Sequence, residues 1–591
     1  MDSFEGPQGH SERFGLHHVD FDLPDRPRTP KQSAYFYSKI IENNGFASRE
    51  KLFNAQETKN IEPNKVSSLP PSTVPSQTKN VWSRFSSQTN FQRKLYHYGT
   101  FPDGFSWGVS SSAYQIEGAW NADGKGPRLS IWDKFAHTPL RVDNSYNGDI
   151  ACDSYNKVDE DVAVLKKLKV THYRFSVSWS RVLPDGTYNF INEAGLDYYH
   201  RLLDALKAAN IEPQVTLYHW DLPLALQKIG GWENEIMVRR FYEYADVLFS
   251  RLGQKVKFWI TLNEPYIVAN LGYGYGTFAP GIIGKQYIAA HNLIKAHAEA
   301  WHLYNRKYRA KQGGIISITI NSDWAEPRNP YKQEDVDAAK RYLQFFIGWF
   351  AHPIFNGDYP EVMKKTIHER SLAFSPSQEQ RSYCLAYSII MSNTPWFKGL
   401  DKTFCPCSPK TYPTTFFNDR GTGTTHDRTW IESGSFWLKI TPFGFRKILK
   451  FIKDEYGNPP VYVTENGISE RGAVDLNDIH RKHYYEKYIN QALKAQVLDG
   501  VDLRGYTAWS LMDNFEWAAG YSERFGLFFV NRSDPNLPRI PKNSASRYAS
   551  IISCNGFPDP ALGPHECLNP EPEGKIMLCH VIPKLCVYGE I

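Results

Sequence analysis

Apolar positions along the chain fall into two alternating patterns. Val158, Val162, Leu165 and Leu168 recur at helical spacing, as do Leu196, Tyr199, Leu203 and Leu206, then Phe241, Tyr244, Val247 and Leu248. Each set predicts an amphipathic helix with one face turned to a core. A further helical pattern fills 287–308. Between these segments lie runs dense in β-branched and aromatic residues at 105–115, 172–179, 213–220, 257–265, 314–324, 460–467 and 503–517. Such runs, bounded by turn residues, predict buried strands. Strands that alternate with helices pair in parallel through right-handed crossovers. Seven such units within about 460 residues predict an α/β architecture closed into a (β/α)8 TIM barrel with long βα loops. No glycine-rich phosphate turn follows the first run, which argues against an open dinucleotide-binding sheet.

Polar side chains gather where these runs end. Gln115, Arg174, His219, Trp220, Asn263, Glu264, Asn321, Glu465 and Trp509 recur towards the carboxyl ends, where barrel active sites are built. The clearest case is KFWITLNEP at 257–265, in which Pro265 stops the strand and leaves Asn263 and Glu264 at its end. PVYVTENG at 460–467 repeats the plan with Glu465. In a chain with 63 acidic residues a single glutamate is ordinarily a solvated surface charge. That reading weakens for a glutamate ending a buried strand, and further when two strands do it. A carboxyl pair facing one pocket suits glycoside hydrolysis, where one group protonates a leaving oxygen and the other stays ionised. Burial and mutual repulsion can push the two pKa values apart. Arg174 lies inside an apolar run, so its guanidinium needs a carboxylate partner, and Glu465 is the candidate. His219 reads either as a donor to a sugar hydroxyl or as a satisfied core histidine. Trp220 reads as a pocket wall, and Trp509, Glu516 and Trp517 as site residues or an aromatic turn in the core.

At 591 residues the chain exceeds one ordinary domain, and a repeat accounts for part of the excess. Residues 11–46 align without a gap to 522–557, with about 20 of 36 positions identical at a constant offset of 511. Self-similarity at a fixed period marks a tandem array, here with a whole domain as its period. Residues 1–48 are therefore read as the tail of a preceding copy, 49–95 as a linker, 96–557 as the barrel and 558–591 as a C-terminal tail. The linker is rich in Pro, Ser, Lys, Gln and Asn, a composition expected to stay disordered because it cannot bury enough surface. A net charge of +5 from 68 basic and 63 acidic residues gives no footprint for nucleic acid. No run approaches the roughly 18 consecutive apolar residues that span a bilayer, and MDSFEGPQGHSERFG shows no apolar leader. Eight cysteines do not make a disulfide framework, and Cys405 and Cys407 are too close for a zinc knuckle. Cys554, Cys567, Cys579 and Cys586 cluster near the C-terminus, where an oxidising compartment would let them pair. Asn531-Arg532-Ser533 is an N-glycosylation acceptor triplet.

The motifs AYQIEGAW, YHWDLP, GGWEN, TLNEP, YVTENG, AWSLMDNFEW and GYSERFGL occur in that order. As a set they closely resemble glycoside hydrolase family 1, over about 96–557 and, through the repeat, 11–46. The resemblance implies a retaining β-glycosidase working by double displacement, with Glu264 as acid/base and Glu465 as nucleophile. Asn263 would hydrogen-bond the sugar 2-hydroxyl, and Gln115, His219, Trp220, Glu516 and Trp517 match sugar-binding positions. Trp509 matches the stacking floor, Arg174 the arginine that steadies the nucleophile, and Asn321 a pocket asparagine on strand five. Stretches such as HNLIKAHAEAWHLYN and SDWAEPRNP are similar to a tandem-repeat member of the family held at the outer face of an epithelial membrane. An extracellular parent follows, attached to membrane only through parts outside this chain. The implied substrates are lactose, aryl or alkyl β-glucosides and glycosylceramides, with water as the second substrate and no cofactor or metal. Galactoside and glucoside both stay open, because one axial hydroxyl changes only a few hydrogen bonds.

One stretch departs from the family pattern. The sixth strand should read Phe-x-Gly-x-Asn followed by an aromatic pair, yet 382–417 reads SYCLAYSIIMSNTPWFKGLDKTFCPCSPKTYPTTFF. An altered sixth strand is therefore expected, with barrel closure and activity at stake. The competing expectation is a klotho-like barrel that binds sugar or protein without catalysis.

Overall fold

The structure, a computed structural model, describes residues 16–19, 28–31, 34, 38, 77–86, 88, 93–123, 129–367, 387–390, 396–399, 416–427, 430–563, 565 and 567. Eight parallel strands close a barrel: β1 (Ser106–Ser110), β2 (His172–Ser176), β3 (Glu212–Tyr218), β4 (Phe258–Asn263), β5 (Ile315–Asn321), β6 (Tyr387–Ile390), β7 (Val461–Glu465) and β8 (Leu503–Trp509). Each pairs with its neighbours in sequence, and β8 closes on β1 from Gly505↔Ser106 to Trp509↔Ser110. The helices Val158–Lys167, Glu193–Ala208, Ile236–Leu252 and Gln286–Leu303 carry the predicted apolar faces. Every residue of β2 and β4 is buried, as expected of parallel strands covered outside by helices and filled inside by side chains. Burying a side chain such as Leu262 or Ile260 stabilises the fold by about 1.5–3 kcal/mol each.

Two sequence expectations are corrected, and the barrel closes with the altered segment in place. The sixth strand is present: its backbone pairs with β5 from Tyr387↔Ile318 to Ile390↔Asn321 and with β7 from Tyr387↔Val461 to Ile390↔Glu465. Four residues suffice because a parallel ladder needs backbone groups rather than a particular motif; the side chains of 387–390 lie outside the described residues. The linker is not wholly disordered, since Thr78–Ser86 is a helix with Thr78, Val81 and Phe85 buried. Two predicted runs are also shorter than read. β1 ends at Ser110, so Gln115 falls in the short helix Ala113–Ile116, and β8 ends at Trp509, so Glu516 and Trp517 lie in the loop that follows.

Two hairpins share one pairing pattern. Phe528–Val530 pairs with Arg539–Pro541 in the register Phe528↔Pro541. His17–Val19 pairs with Arg28–Pro30 in the register His17↔Pro30, so both registers are the same at the 511-residue offset. Cys554 and Cys567 form a disulfide; Cys405, Cys407, Cys579 and Cys586 lie outside the described residues. Among the described residues no helix is long and apolar enough to cross a membrane.

Candidate active site

The carboxyl ends of the strands assemble the expected residues. Asn263 and Glu465 are the last residues of β4 and β7, Asn321 of β5 and Trp509 of β8. Arg174 lies within β2, and His219 and Trp220 directly follow β3. Glu264 leaves β4 with φ 43°, while Trp220 and Trp517 have φ 76° and 48°. Non-glycine residues in this left-handed region cost about 1–3 kcal/mol each and persist only where packing imposes them. Gly467 meets a different need: a Cβ there would lie 1.8 Å from the Trp509 carbonyl oxygen. The glycine of TENG thus lets the β7 loop pass against the end of β8.

Arg174 is the hub. Its side chain is fully buried, and Nη1 donates to a Glu465 carboxylate oxygen and, at 3.3 Å, to the Thr464 carbonyl. Nη2 donates to Asn263 Oδ1 at 2.7 Å and Nε to Thr216 Oγ1 at 3.2 Å. The guanidinium therefore ties the end of β7 to the end of β4. Because Asn263 Oδ1 accepts from arginine, its Nδ2 is a donor, and it faces His219 Nε2 at 2.9 Å. Nε2 must then accept, which places the histidine proton on Nδ1. That Nδ1 is buried with no protein partner among the described residues, and so is Asn321 Oδ1. Burial, reinforced by the Arg174 charge, holds His219 well below the usual imidazole range, so the ring is neutral and offers a single N–H.

The two carboxyl groups differ in their surroundings. Burial drives Glu264 well above the usual carboxyl range, and the charges of Glu465, Glu516 and Asp323 add to it while Arg174 opposes. Burial also raises Glu465, but there the Coulomb attraction and hydrogen bond of Arg174 act directly against it. Where two buried carboxyls interact and only one touches a cation, the shared negative charge rests on that one. Glu465 is then the ionised partner and Glu264 the protonated one.

Aromatic rings and amides complete the walls. Trp220 and Trp517 lie 4.4 Å apart between centroids, and the His219 ring stacks on Trp509 and Trp517. Trp220 Nε1 donates to the Asn263 carbonyl at 3.0 Å. Gln115 Nε2 donates to Asn514 Oδ1 at 3.0 Å, to the Phe515 carbonyl at 2.9 Å and to Glu516 at 3.4 Å. Glu516 is raised well above the carboxyl range, first by burial and then by Glu523 and Glu465, with Gln115 opposing. Sequence reasoning missed Thr216, Asn466, Tyr506 and Asn514. Tyr506 donates to Asn466 Oδ1 at 2.5 Å and Asn466 accepts the Trp509 amide at 2.9 Å. Adjacency to Glu465 flags Asn466, and MDNFEW flags Asn514; Thr216 carries no signal beyond its strand. Apolar ring faces, an unpartnered N–H and an unpartnered carbonyl beside a carboxyl pair suit a ligand with hydroxyls around an apolar ring. Among the described residues no group of three or more His, Cys, Asp or Glu could hold a metal ion.

The sequence profile described as Glycosyl hydrolase family 1 matches residues 1–46 and 97–557. Human lactase/phlorizin hydrolase is 56% identical over 589 residues, covering 96% of this chain but 28% of that protein; the chain thus spans less than a third of that relative. Human cytosolic beta-glucosidase is 43% identical over 467 residues, covering 77% of this chain and 99% of that protein. A rice β-glucosidase, solved in a covalent complex with Glc, superposes with a TM-score of 0.73 at 38% identity, over 76% of this chain and 99% of that one. The chain belongs to glycosyl hydrolase family 1.

Proposed function

We propose that this barrel hydrolyses β-glycosides with retention, through a covalent glycosyl-enzyme. The Glu465 carboxylate attacks the anomeric carbon while the Glu264 carboxyl gives its proton to the departing glycosidic oxygen, so one C–O bond forms as another breaks. Glu264, now ionised, takes a proton from water, whose oxygen attacks the same carbon and releases Glu465. The observation that carries this reading is the Arg174 bridge, which ties a cation to Glu465 and not to Glu264. Asn263, held by the same guanidinium, retains an amide hydrogen for the sugar 2-hydroxyl. The His219 Nδ1–H and Asn321 Oδ1 complement further sugar hydroxyls, with Gln115 and Glu516 beside them. Trp509, Trp220 and Trp517 supply ring faces.

The non-catalytic klotho-like alternative loses support because both glutamates are present, buried and differently paired. Lactose, aryl or alkyl β-glucosides and glycosylceramides are the substrates we take the site to accept, in keeping with relatives named for lactase, phlorizin hydrolase and beta-glucosidase activity. The disulfide and the Asn531 triplet support an oxidising, secretory setting, and the shared hairpin register supports descent from a tandem array. The test is turnover of nitrophenyl β-glucoside and β-galactoside by the purified chain and by Glu465→Gln. Turnover that disappears in the variant is expected. A folded wild-type chain that binds either sugar without turnover would overturn the proposal.

A further inference from the structure

The family match leaves out residues 47–96, yet the helix Thr78–Ser86 is docked on the barrel unit. Val81 and Phe85 are 0% and 2% exposed, and Arg446 lies 5.0 Å from the Phe85 ring. At the start of the helix the Gln77 amide donates to Glu455. Near its end Arg84 donates to Asp499 Oδ1 at 3.0 Å, a carboxylate shared with Arg446. Further along, Asn490 exchanges hydrogen bonds with the His97 main chain. The described residues of 77–97 therefore form a strap along the helices Pro442–Tyr456 and Ile479–Val497 before the chain enters the barrel.

One contact links the strap to the proposed site. Trp82 Nε1 donates to the Ala325 carbonyl at 3.1 Å, and its ring meets Trp324 edge-on at 6.3 Å. The segment 321–327 runs from the last residue of β5 through a loop into the short strand Glu326–Pro327, which pairs with Trp396–Phe397. It begins with Asn321, whose Oδ1 has no protein partner among the described residues, and continues through Asp323, one of the charges acting on Glu264. Tyr342 donates to Asp323 at 2.8 Å, and Trp324 Nε1 donates to Glu326 at 2.9 Å. Lys447, beside Phe85, pairs with the same Glu326. The loop is thus held on one side by barrel helices and on the other by an element outside the family match.

We propose that Thr78–Ser86 is an intramolecular brace, with Trp82 as a positioning residue that fixes the 321–327 loop beside Glu264. The functional consequence rests on the glycosidase reading; the brace itself does not. The test compares the full chain with Trp82→Ala and Trp82→Phe, at a temperature where near-ultraviolet circular dichroism shows all three folded. Hydrogen exchange is expected to quicken about tenfold in peptides covering 321–327 of Trp82→Ala (~1.4 kcal/mol), with peptides from 193–208 unchanged. Trp82→Phe keeps a ring against Trp324 and is expected to recover part of the protection. With nitrophenyl β-glucoside, kcat of Trp82→Ala is expected to fall about two- to tenfold, the worth of one neutral hydrogen bond. Exchange that rises evenly across the barrel, or not at all, would overturn the brace. A wild-type chain with no turnover would overturn only the glycosidase reading, since the exchange result still decides the brace.

Discussion

Replacing Arg174 by methionine tests the division of labour between the two glutamates. The substitution roughly keeps the buried volume but removes the cation bonded to Glu465, together with the donors to Thr464, Asn263 and Thr216. Breaking a fully buried ion pair from one side costs about 3–5 kcal/mol. Expressed entirely in the transition state, that is about two to nearly four orders of magnitude in kcat/KM. The pH profile separates this from a general loss of packing. Burial already raises Glu465, and Arg174 opposes it; without the guanidinium its pKa climbs further. The nucleophile must be ionised, so the acidic limb of kcat/KM moves to higher pH. Arg174→Lys keeps a positive charge but cannot reach Glu465 and Asn263 with one planar fork. It is expected to lose kcat while holding its acidic limb near that of the wild type. The assay is kcat/KM for nitrophenyl β-glucoside from about pH 4 to 9, on variants shown to be folded by circular dichroism. A folded Arg174→Met variant with an unshifted acidic limb would refute the electrostatic assignment.

Three further outcomes follow from the same geometry. Glu264→Gln removes the proton donor: hydrolysis of an alkyl β-glucoside should fall by about 10²–10⁴, whereas a dinitrophenyl β-glucoside, whose leaving group needs no proton, should accumulate a glycosyl-enzyme visible by intact-mass spectrometry. Asp323→Asn removes a negative charge that helps raise Glu264; ionised Glu264 becomes easier to form, so the alkaline limb of kcat/KM should move to lower pH, and an upward shift would contradict the assignment. Cys554→Ser opens a disulfide between residues 13 apart, a loop whose closure is worth about 3 kcal/mol in the chain-entropy account; calorimetry should show a lower Tm in the variant and in the reduced wild type alike.

What could be read from the chain tracks where the determining contacts are local. β4 and β7 read as apolar runs because parallel strands buried on both faces need no polar alternation, and Pro265 and the Gly467 turn mark their ends. Arg174 could be matched to Glu465 by desolvation alone, since a guanidinium inside a strand leaves few ways to be satisfied. The failures share a cause of the opposite kind. Thr78–Ser86 offers just three apolar side chains to the barrel, Val81, Trp82 and Phe85, too short a pattern to stand out from a Pro- and Ser-rich stretch, and its order comes from partners more than 200 residues away. β6 is four residues whose pairing is supplied by β5 and β7. Gln115 sits in a helical turn rather than at a strand end because Ala113 donates to Ser176 of the next strand at 2.7 Å, a contact no spacing rule encodes. The left-handed backbones of Trp220, Glu264 and Trp517 have no residue signature at all, because the surrounding packing imposes them. The identity of the carboxyl pair is thus a local property of two strand ends, while the difference between its members is tertiary. It depends on a guanidinium from β2 reaching β7 and β4 together, which is why a variant at Arg174 rather than at either glutamate distinguishes the two roles.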